Sequence, residues 1–347
     1  NPDQLEKFRK SYQQLGRETG LILSMGGKKK YFSMFDLQSQ KTFFKGEEVI
    51  LSGINSLLKK EKEKIYFVTG HGEPSISSFE PEGIGQLAKY LEVNGYQVQS
   101  LSLKEKGFPY KAPLIVIIGP KREIPLEEEL LLRRYLRKGG SLLIFLDPES
   151  PLLLERTLEE SKILLPHTQV IEPEQHILRD PKYIAVQNFG SHPLAEDFRG
   201  FTLYLPGARP ILATQRVQVL LQSSAQSRLS PPVPKASSKG PYPLGVFIQK
   251  KGTLVLMGDS HFLRNGIFQG NRPLWGLSLG VNQDFAFSLI SHLAEKNILL
   301  GLGRKPLRNP NLQLNSSEMT RVWWFTCIFL PSIILLMGTS IWLWRKS

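Results

Sequence analysis

The feature that most constrains this chain is an uncharged run near its C-terminus, VWWFTCIFLPSIILLMGTSIWLW, at positions 322–344. As a helix rising about 1.5 Å per residue, the run would be roughly 35 Å long, enough to cross a ~30 Å hydrocarbon core with some tilt. A buried core helix is the alternative, but such helices rarely run this long without a polar face. The run therefore predicts a transmembrane anchor. Its characteristic residues are interfacial tryptophans, a tolerated proline and a basic end: Trp323, Trp324, Pro331, Trp342, Trp344, Arg345 and Lys346.

The rest of the chain has an ordinary globular composition, and its cysteine content limits the chemistry that it can perform. The sequence is 41% hydrophobic and 22% charged, so the roughly 300 residues before the run can bury the core of one large or two ordinary domains. The single cysteine, Cys327, lies inside the apolar run. The upstream sequence therefore excludes an intrachain disulfide, a cysteine-based zinc site and a cysteine nucleophile.

The formal net charge of +13 raises the question of a polyanionic partner. The clearest basic clusters, Lys28–Lys30 and Lys59–Lys64, are not interleaved with aromatic residues that could stack on bases. We therefore interpret them as solvated or lipid-headgroup-facing surface, and we expect no nucleic-acid partner. The sequence also contains neither a Walker loop nor a Rossmann glycine fingerprint, so we expect no nucleotide and no other cofactor.

Strand and helix patterns alternate through the first half of the chain. Short apolar segments at 64–69, 113–118 and 141–146 are typical of buried strands, and amphipathic helices are predicted at 83–94 and 125–138. Apolar strands with helices between them imply a doubly wound, mostly parallel α/β sheet. Further elements are predicted as helices at 5–15, 47–60, 152–162 and 284–296, strands at 168–171 and 211–221, and hairpins at 20–37 and 245–257.

These patterns divide the chain into four predicted parts. Residues 1–60 form a small α+β unit, and residues 61–300 form the α/β domain. Within that domain the stretch 223–243, rich in Ser, Pro, Ala and Lys, is predicted to be a flexible insertion. A polar juxtamembrane linker at 301–320 then leads to the anchor and basic tail at 321–347.

Three predicted strands end in polar tetrads that could converge on a ligand or partner. The carboxyl ends of parallel strands meet at one edge of a sheet, where ligands bind near a switch point in strand order. The same residues also suit plain strand-to-helix turns, in which glycine allows a tight backbone and Asp or Ser caps a helix. We expect no bound metal and no catalytic residue there. The candidate contact residues are Gly70, His71, Gly72, Glu73, Asp147, Asp259, Ser260 and His261.

Two other functions remain open from the residues alone. A membrane-anchored hydrolase would use His71, Asp259, Ser260 and His261, although the sequence lacks the G-x-S-x-G motif of α/β-hydrolases. A solute-binding domain would instead place its cleft along the strand ends.

Four stretches together resemble a known group of proteins: IYFVTGHGE, YLEVNGYQVQSL, the segment from PLIVIIGPK to LDPESP, and GTLVLMGDSHFLRNGIFQGN. In this order and spacing, over about residues 45–345, the chain resembles the gliding-motility-type (GldG-like) auxiliary subunits of uncharacterised ABC transport systems. The resemblance implies a glutamine-amidotransferase-like, flavodoxin-like core, as in an intraflagellar-transport subunit, without the catalytic cysteine. In agreement, the strand that would carry this nucleophile ends in Gly119, Pro120 and Lys121.

The resemblance also implies a function. It predicts a non-enzymatic, membrane-tethered accessory subunit that works beside a separate ATPase and a multi-span permease and that contacts an unidentified substrate or envelope proteins. We expect it in the inner (cytoplasmic) membrane, with its bulk outside the cytoplasm and Arg345 and Lys346 inside. Because the chain begins at Asn1, we expect it to derive from a longer product; relatives often carry an additional N-terminal span.

Overall fold

A computed structural model of the chain describes residues 63–294 except 106, 214–216, 235 and 270–271, together with 20–25, 28–33, 38–39, 43–44, 50, 53–54, 305–306 and 323–346. The helix predicted at 5–15, most of that predicted at 47–60 and most of the predicted linker lie outside the described residues.

The described secondary structure confirms the alternation of strands and helices. The strands are β1 (Gly20–Met25), β2 (Lys28–Ser33), β3 (Gln38–Ser39), β4 (Phe43–Phe44), β5 (Lys64–Thr69), β6 (Gln97–Ser102), β7 (Leu114–Ile118), β8 (Ser141–Phe145), β9 (Ile163–Leu164), β10 (Gln169–Ile171), β11 (Ile184–Val186), β12 (Asn188–Phe189), β13 (Leu203–Leu205), β14 (Leu212–Ala213), β15 (Gln218–Gln222), β16 (Arg228–Ser230), β17 (Pro243–Gln249), β18 (Thr253–Met257), β19 (Ile267–Gln269), β20 (Arg272–Trp275) and β21 (Lys305–Pro306). The helices are α1 (Gly85–Val93), α2 (Leu126–Arg137), α3 (Glu155–Glu160), α4 (Pro193–Glu196), α5 (Asn282–Ala294) and α6 (Leu330–Lys346).

The central sheet has eight strands in the order β12-β15-β17-β18-β8-β7-β5-β6. The five strands from β18 to β6 are parallel, whereas β17, β15 and β12 extend the sheet in antiparallel fashion. The sheet is therefore mixed, because β17 and β18 are joined by a tight turn rather than by a crossover helix. From the β6 edge, the parallel strands are the second, first, third, fourth and fifth in chain order, so the order reverses between β5 and β7.

Helices cover both faces of this sheet, as a doubly wound arrangement requires. Every residue of β7 and β8 is buried, and successive side chains point to opposite faces. Val116 and Phe145 belong to the core that contains residues of α1 and α5. Ile115 and Ile144 belong to the core that contains residues of α2 and α3. The two cores explain why these strands are continuously apolar in sequence.

The end of α2 shows how the predicted helix stop works. Gly139 follows the helix with a φ of 90°, in the left-handed region that glycine adopts without strain. The Tyr135 hydroxyl donates to the carbonyls of Ala112 and Ser141 at 2.9 and 3.0 Å and accepts the Ser141 N–H at 3.1 Å. The helix is thereby fixed to the beginnings of β7 and β8.

The segment 223–243, predicted to be a flexible insertion, contains regular structure and buried side chains. It contains β16, which pairs antiparallel with β10, and its serines Ser223, Ser224 and Ser227 are buried. Glu172, fully buried, accepts hydrogen bonds from the Ser224 hydroxyl at 2.8 Å and from its backbone N–H at 3.1 Å. The described hydroxyls of this low-complexity stretch therefore bond to one another and to this carboxylate.

The C-terminal apolar run forms a helix whose side chains are exposed. A π-helical turn, Phe325–Phe329, precedes α6. Within the described residues, one helix is long and apolar enough to cross a membrane, the 21 residues Phe325–Arg345, and none of it is buried against the rest of the protein. Length and composition therefore make it a candidate span.

Candidate functional site

The predicted contact residues lie at the ends of β5, β8 and β18, and the structure separates them into two groups. Asp147, Asp259, Ser260 and His261 form one group, which we call the Asp147 cluster. His71 lies instead between the carboxylates of Glu73 and Glu128, and we call these three the His71 cluster. Neither the ion pairs nor the side-chain hydrogen bonds described for these residues join the two clusters.

Asp147 is the centre of the first cluster. Its Oδ1 accepts the Ser260 backbone N–H at 2.6 Å, and its Oδ2 accepts the Ser260 hydroxyl at 2.7 Å. The Nδ1 atom of His261 lies 3.1 Å from Oδ1. These contacts tie the end of β8 to the turn after β18, two strands that are neighbours in the sheet.

Asp259 organises the same turn from the other side. Its side chain is fully buried. The carboxylate accepts the Gly207 N–H at 2.6 Å and the Phe262 N–H at 3.0 Å, so each of its oxygens has a backbone donor. The second bond fixes the beginning of the short 3-10 helix His261–Leu263.

Burial and charge set the protonation of the cluster. Burial raises the pKa of Asp259 to about 7, although the charge of His261 opposes the rise. Burial would also raise the pKa of Asp147, but its hydrogen bonds and ion pair with His261, together with those from Ser260, hold that pKa below its usual value. Burial disfavours the imidazolium of His261, yet the hydrogen bond and charge of Asp147 raise its pKa to about 9. A cationic His261 beside an anionic Asp147 is therefore the state at neutral pH.

Asp147, Asp259 and His261 also meet the distance requirement for a metal site. One ligand atom from each lies within 4.8 Å of the others. However, the described donors already engage every carboxylate oxygen of the two aspartates, and the raised pKa of His261 favours a protonated ring that cannot ligate. The two carboxylates are thus satisfied by hydrogen-bond donors of the protein itself, and the absence of a metal stays a prediction.

Ser260 does not have the geometry of a hydrolytic nucleophile. Its side chain is fully buried, and its hydroxyl donates to Asp147 rather than to His261. A nucleophilic serine needs a base that takes its proton and a surface that substrate can reach. The serine of the hydrolase hypothesis is instead a structural donor.

Arg209, which was not predicted, contacts the Asp147 cluster by donating to the Asp147 carbonyl at 3.3 Å. This guanidinium is fully buried and donates to the carbonyls of Pro166 at 2.9 Å, Ser150 at 2.8 Å and Leu165 at 2.6 Å. Burial lowers the pKa of Arg209 to about 10, although the charge of Asp147 opposes the change. The one available signal was an arginine isolated in the largely apolar stretch LPGARPIL.

The His71 cluster connects the end of β5 to the first turn of α2. Glu73 Oε1 lies 3.2 Å from His71 Nδ1, and Glu128 Oε2 lies 3.0 Å from His71 Nε2. The Glu73 carboxylate also accepts the His71 backbone N–H at 2.7 Å. All three side chains are buried, so the imidazole bridges two carboxylates away from solvent. Glu128 was not predicted, because acidic residues in a first helical turn are expected for the helix dipole alone.

Gly70 and Gly72 provide the turn that holds this histidine. Their φ values of 118° and 91° lie in the region that favours glycine. A side chain at Gly72 would come within 2.9 Å of the Lys121 Cβ, whereas Gly70 has open space around it. The two glycines therefore act through the backbone, as the turn interpretation of this tetrad predicts.

Part of the α/β domain matches a known protein family. Residues 62–172, from β5 to β10, match the family described as an ABC-type uncharacterized transport system. This segment is similar to that auxiliary family. The resemblance predicted from the sequence is confirmed at this level, and the matched residues include the His71 cluster and Asp147. The chain has no significant match among curated proteins.

Solved structures are similar to this chain at low sequence identity. The mmIFT52 N-terminal domain is 18% identical with a TM-score of 0.52, and the match covers 68% of this chain and 99% of that domain. A putative ThuA-like protein from Parabacteroides merdae is 10% identical with a TM-score of 0.40, over 69% of this chain and 92% of the other. An exo-β-1,4-mannosidase from an Opitutaceae bacterium is 12% identical with a TM-score of 0.36, over 58% of this chain and 32% of the enzyme. The likeness to the mmIFT52 domain concerns the fold alone.

Proposed function

We propose that the chain is a membrane-anchored, non-ATPase accessory subunit of an ABC-type transport system, acting by contact with other proteins or with substrate rather than by catalysis. The observation that carries the proposal is the family match over 62–172, in a chain that also has one apolar helix of spanning length among its described residues. The four-part division at 1–60, 61–300, 301–320 and 321–347 is part of the proposal.

The exposed surface of the C-terminal helix supports the anchor. Leu335 and Leu336 are 68% and 67% exposed, and Trp344 near the end is 83% exposed. An apolar surface of this extent is costly in water and favourable in hydrocarbon. Arg345 ends the run with a charge that belongs at the membrane interface.

The chemistry of the strand ends supports a non-enzymatic role. The serine and carboxylates of the Asp147 cluster bond to the protein itself, and the His71 cluster is buried. The surface available to a partner at this edge includes the exposed turn around Gly70, whose carbonyl accepts a hydrogen bond from Arg122 at 3.0 Å. We propose that this turn, rather than the buried clusters, makes the contact.

Two finer assignments belong to the same proposal. The strand order of the parallel part, with its reversal between β5 and β7, is that of flavodoxin-like folds, and it supports a flavodoxin-like or glutamine-amidotransferase-like core. The sequence motifs quoted above support the gliding-motility (GldG-like) type within the family.

We place the protein in the inner membrane with the α/β domain outside the cytoplasm and Arg345 and Lys346 inside. Large domains are translocated largely regardless of their charge, so the net positive charge does not oppose this orientation. Protease added to intact spheroplasts should digest the domain. Complete protection, with digestion only after lysis, would reverse the orientation.

Co-purification tests the accessory role directly. The full chain, tagged and extracted in a mild neutral detergent, should retain a multi-span permease and a separate ATPase encoded beside it. A tagged, unrelated single-span protein from the same membrane is the control for detergent carry-over. Retention of neither subunit under conditions that preserve the transporter would contradict the proposal, as would hydrolytic activity that Ser260→Ala abolishes in a protein that remains folded.

A further inference from the structure

A cavity lies at the edge of the sheet opposite the strand carboxyl ends. It has a volume of 360 Å³ and lies between the second half of α2, helix α3 and the turn that joins β17 to β18. Its wall includes Gly252, immediately before β18, and Thr253 pairs in register with Ser141, the first residue of β8. The cavity is therefore separate from the Asp147 and His71 clusters, and its size is typical of small-molecule sites.

Positive charge dominates the lining. Arg133 and Arg137 contribute from α2, and Lys250 and Lys251 contribute from the turn, against Glu160 as the one acidic residue among the described lining. Four cations facing one carboxylate across a concave surface favour an anionic occupant, because the low-dielectric wall strengthens the field inside it.

Arg133 supplies the observation that points to a bound ligand. Its side chain is 7% exposed, and its Nε atom is buried with no hydrogen-bond partner in the part of the chain that the structure describes. Glu160 is an incomplete counterion, because the closest approach is 3.7 Å and its side chain is 60% exposed. A buried guanidinium N–H without an acceptor costs free energy that an anion in the cavity would recover.

Apart from Thr157 and Ser161, the remaining side chains of the wall are apolar. Leu136 and Leu254 are buried, and the partly buried Ile248 completes this side of the cavity. An inorganic anion would leave this surface unused, whereas an anion that carries a hydrocarbon group would cover it. Guanidinium groups match the geometry of phosphate with paired hydrogen bonds.

We propose that this cavity binds a phosphate monoester attached to a short hydrocarbon group, with Arg133 and Arg137 holding the phosphate and Leu136, Ile248 and Leu254 contacting the hydrocarbon. The site is independent of the accessory role proposed above. A free organic phosphate and the headgroup end of a phospholipid share this chemistry.

Isothermal titration calorimetry on the full chain in neutral detergent tests the site with two probes, butyl phosphate and the soluble lipid dihexanoyl phosphatidic acid. Saturable binding of butyl phosphate identifies the free organic phosphate as the ligand source, and binding of phosphatidic acid alone identifies the lipid. Butan-1-ol and inorganic phosphate should each bind at least about tenfold more weakly than the better probe, because each makes half of the contacts.

Variants locate the binding. Arg137→Met and Lys251→Met alter exposed residues and should each weaken binding about tenfold, the worth of one charge-assisted hydrogen bond. Arg134→Met is the matched control on α2, because this arginine lies over the Tyr110 ring, 5.2 Å from its centroid, and does not line the cavity. Its affinity should be unchanged. The proposal would be overturned if neither probe showed saturable binding. It would also be overturned if all three variants bound the better probe with equal affinity.

Discussion

Gly119, which follows β7, packs against Asp147 after β8 and Ser260 after β18. An added methyl group at Gly119 therefore tests the packing of the Asp147 cluster. The residue follows β7 with a φ of 49°. A Cβ at this position would overlap the Ser260 hydroxyl and lie 2.8 Å from Asp147 Oδ2. Gly119→Ala therefore forces Ser260 away from the carboxylate to which it donates.

The expected cost has two parts. A left-handed backbone costs an alanine about 1 to 2 kcal/mol. Loss of a buried hydrogen bond to an ionised carboxylate costs about 1.5 to 3 kcal/mol more. We expect Gly119→Ala to lower the free energy of unfolding by about 2.5 to 5 kcal/mol, a large fraction of the stability of an ordinary domain.

Gly107→Ala is the matched control. Its φ is 99°, and no atom lies within 4 Å of the position that an added Cβ would occupy, so it reports the backbone cost without the overlap. Urea unfolding in neutral detergent, followed by far-ultraviolet circular dichroism, measures both variants. If Gly119→Ala lowered the free energy of unfolding by no more than about 2 kcal/mol, the backbone cost alone, the reasoning about the crowded cluster would be refuted.

Three further substitutions test other contacts. Ser260→Ala should lower the free energy of unfolding by about 1.5 to 3 kcal/mol, because Asp147 loses a buried donor. Tyr135→Phe should cost about 1 to 3 kcal/mol, because it leaves the Ser141 and Ala112 backbone groups without the hydroxyl. The pKa of His261 rises from 6.5 to about 9 on folding, so the protonated ring adds to the free energy of unfolding. This contribution is complete below pH 6.5 and is lost as the pH rises through 9. Wild-type protein should therefore lose about 3 kcal/mol more than His261→Asn over that interval.

The same urea series provides the readouts that would contradict these expectations. A Ser260→Ala variant as stable as the wild type would show that the hydroxyl does not support Asp147. A stability difference between His261→Asn and wild type that stays constant from pH 6.5 to 9 would exclude the proposed ion pair. For Tyr135→Phe, an unchanged midpoint would mean that water replaces the hydroxyl.

The sheet could be predicted from the sequence because its strands are buried on both faces. The runs KIYFVT, PLIVII and SLLIFL became β5, β7 and β8 with nearly the predicted bounds, since burial on both faces requires continuously apolar residues. The antiparallel extension of the sheet was harder to predict from the sequence. Its outer strand, β12, has two residues, and such short strands carry no periodicity to detect.

The chemistry of the strand ends could be predicted in composition but not in pairing. Asp147, Ser260 and His261 were all singled out, yet which atoms would meet depends on the register of β8 against β18. Glu128 and Arg209 were not predicted, because their partners are distant in sequence. Arg209 bonds to carbonyls, which every residue carries, so no side-chain pattern marks its role.

The strand order has a consequence for how the domain can be divided. β8 lies between β7 and β18, yet β17, β18 and α5 all follow residue 172, where the family match ends. A fragment cut at the match would expose the unpaired backbone of β8 along an edge of leucine, isoleucine and phenylalanine, which is a template for aggregation. The evolutionary unit that can be recognised in this chain is therefore smaller than the unit that can fold.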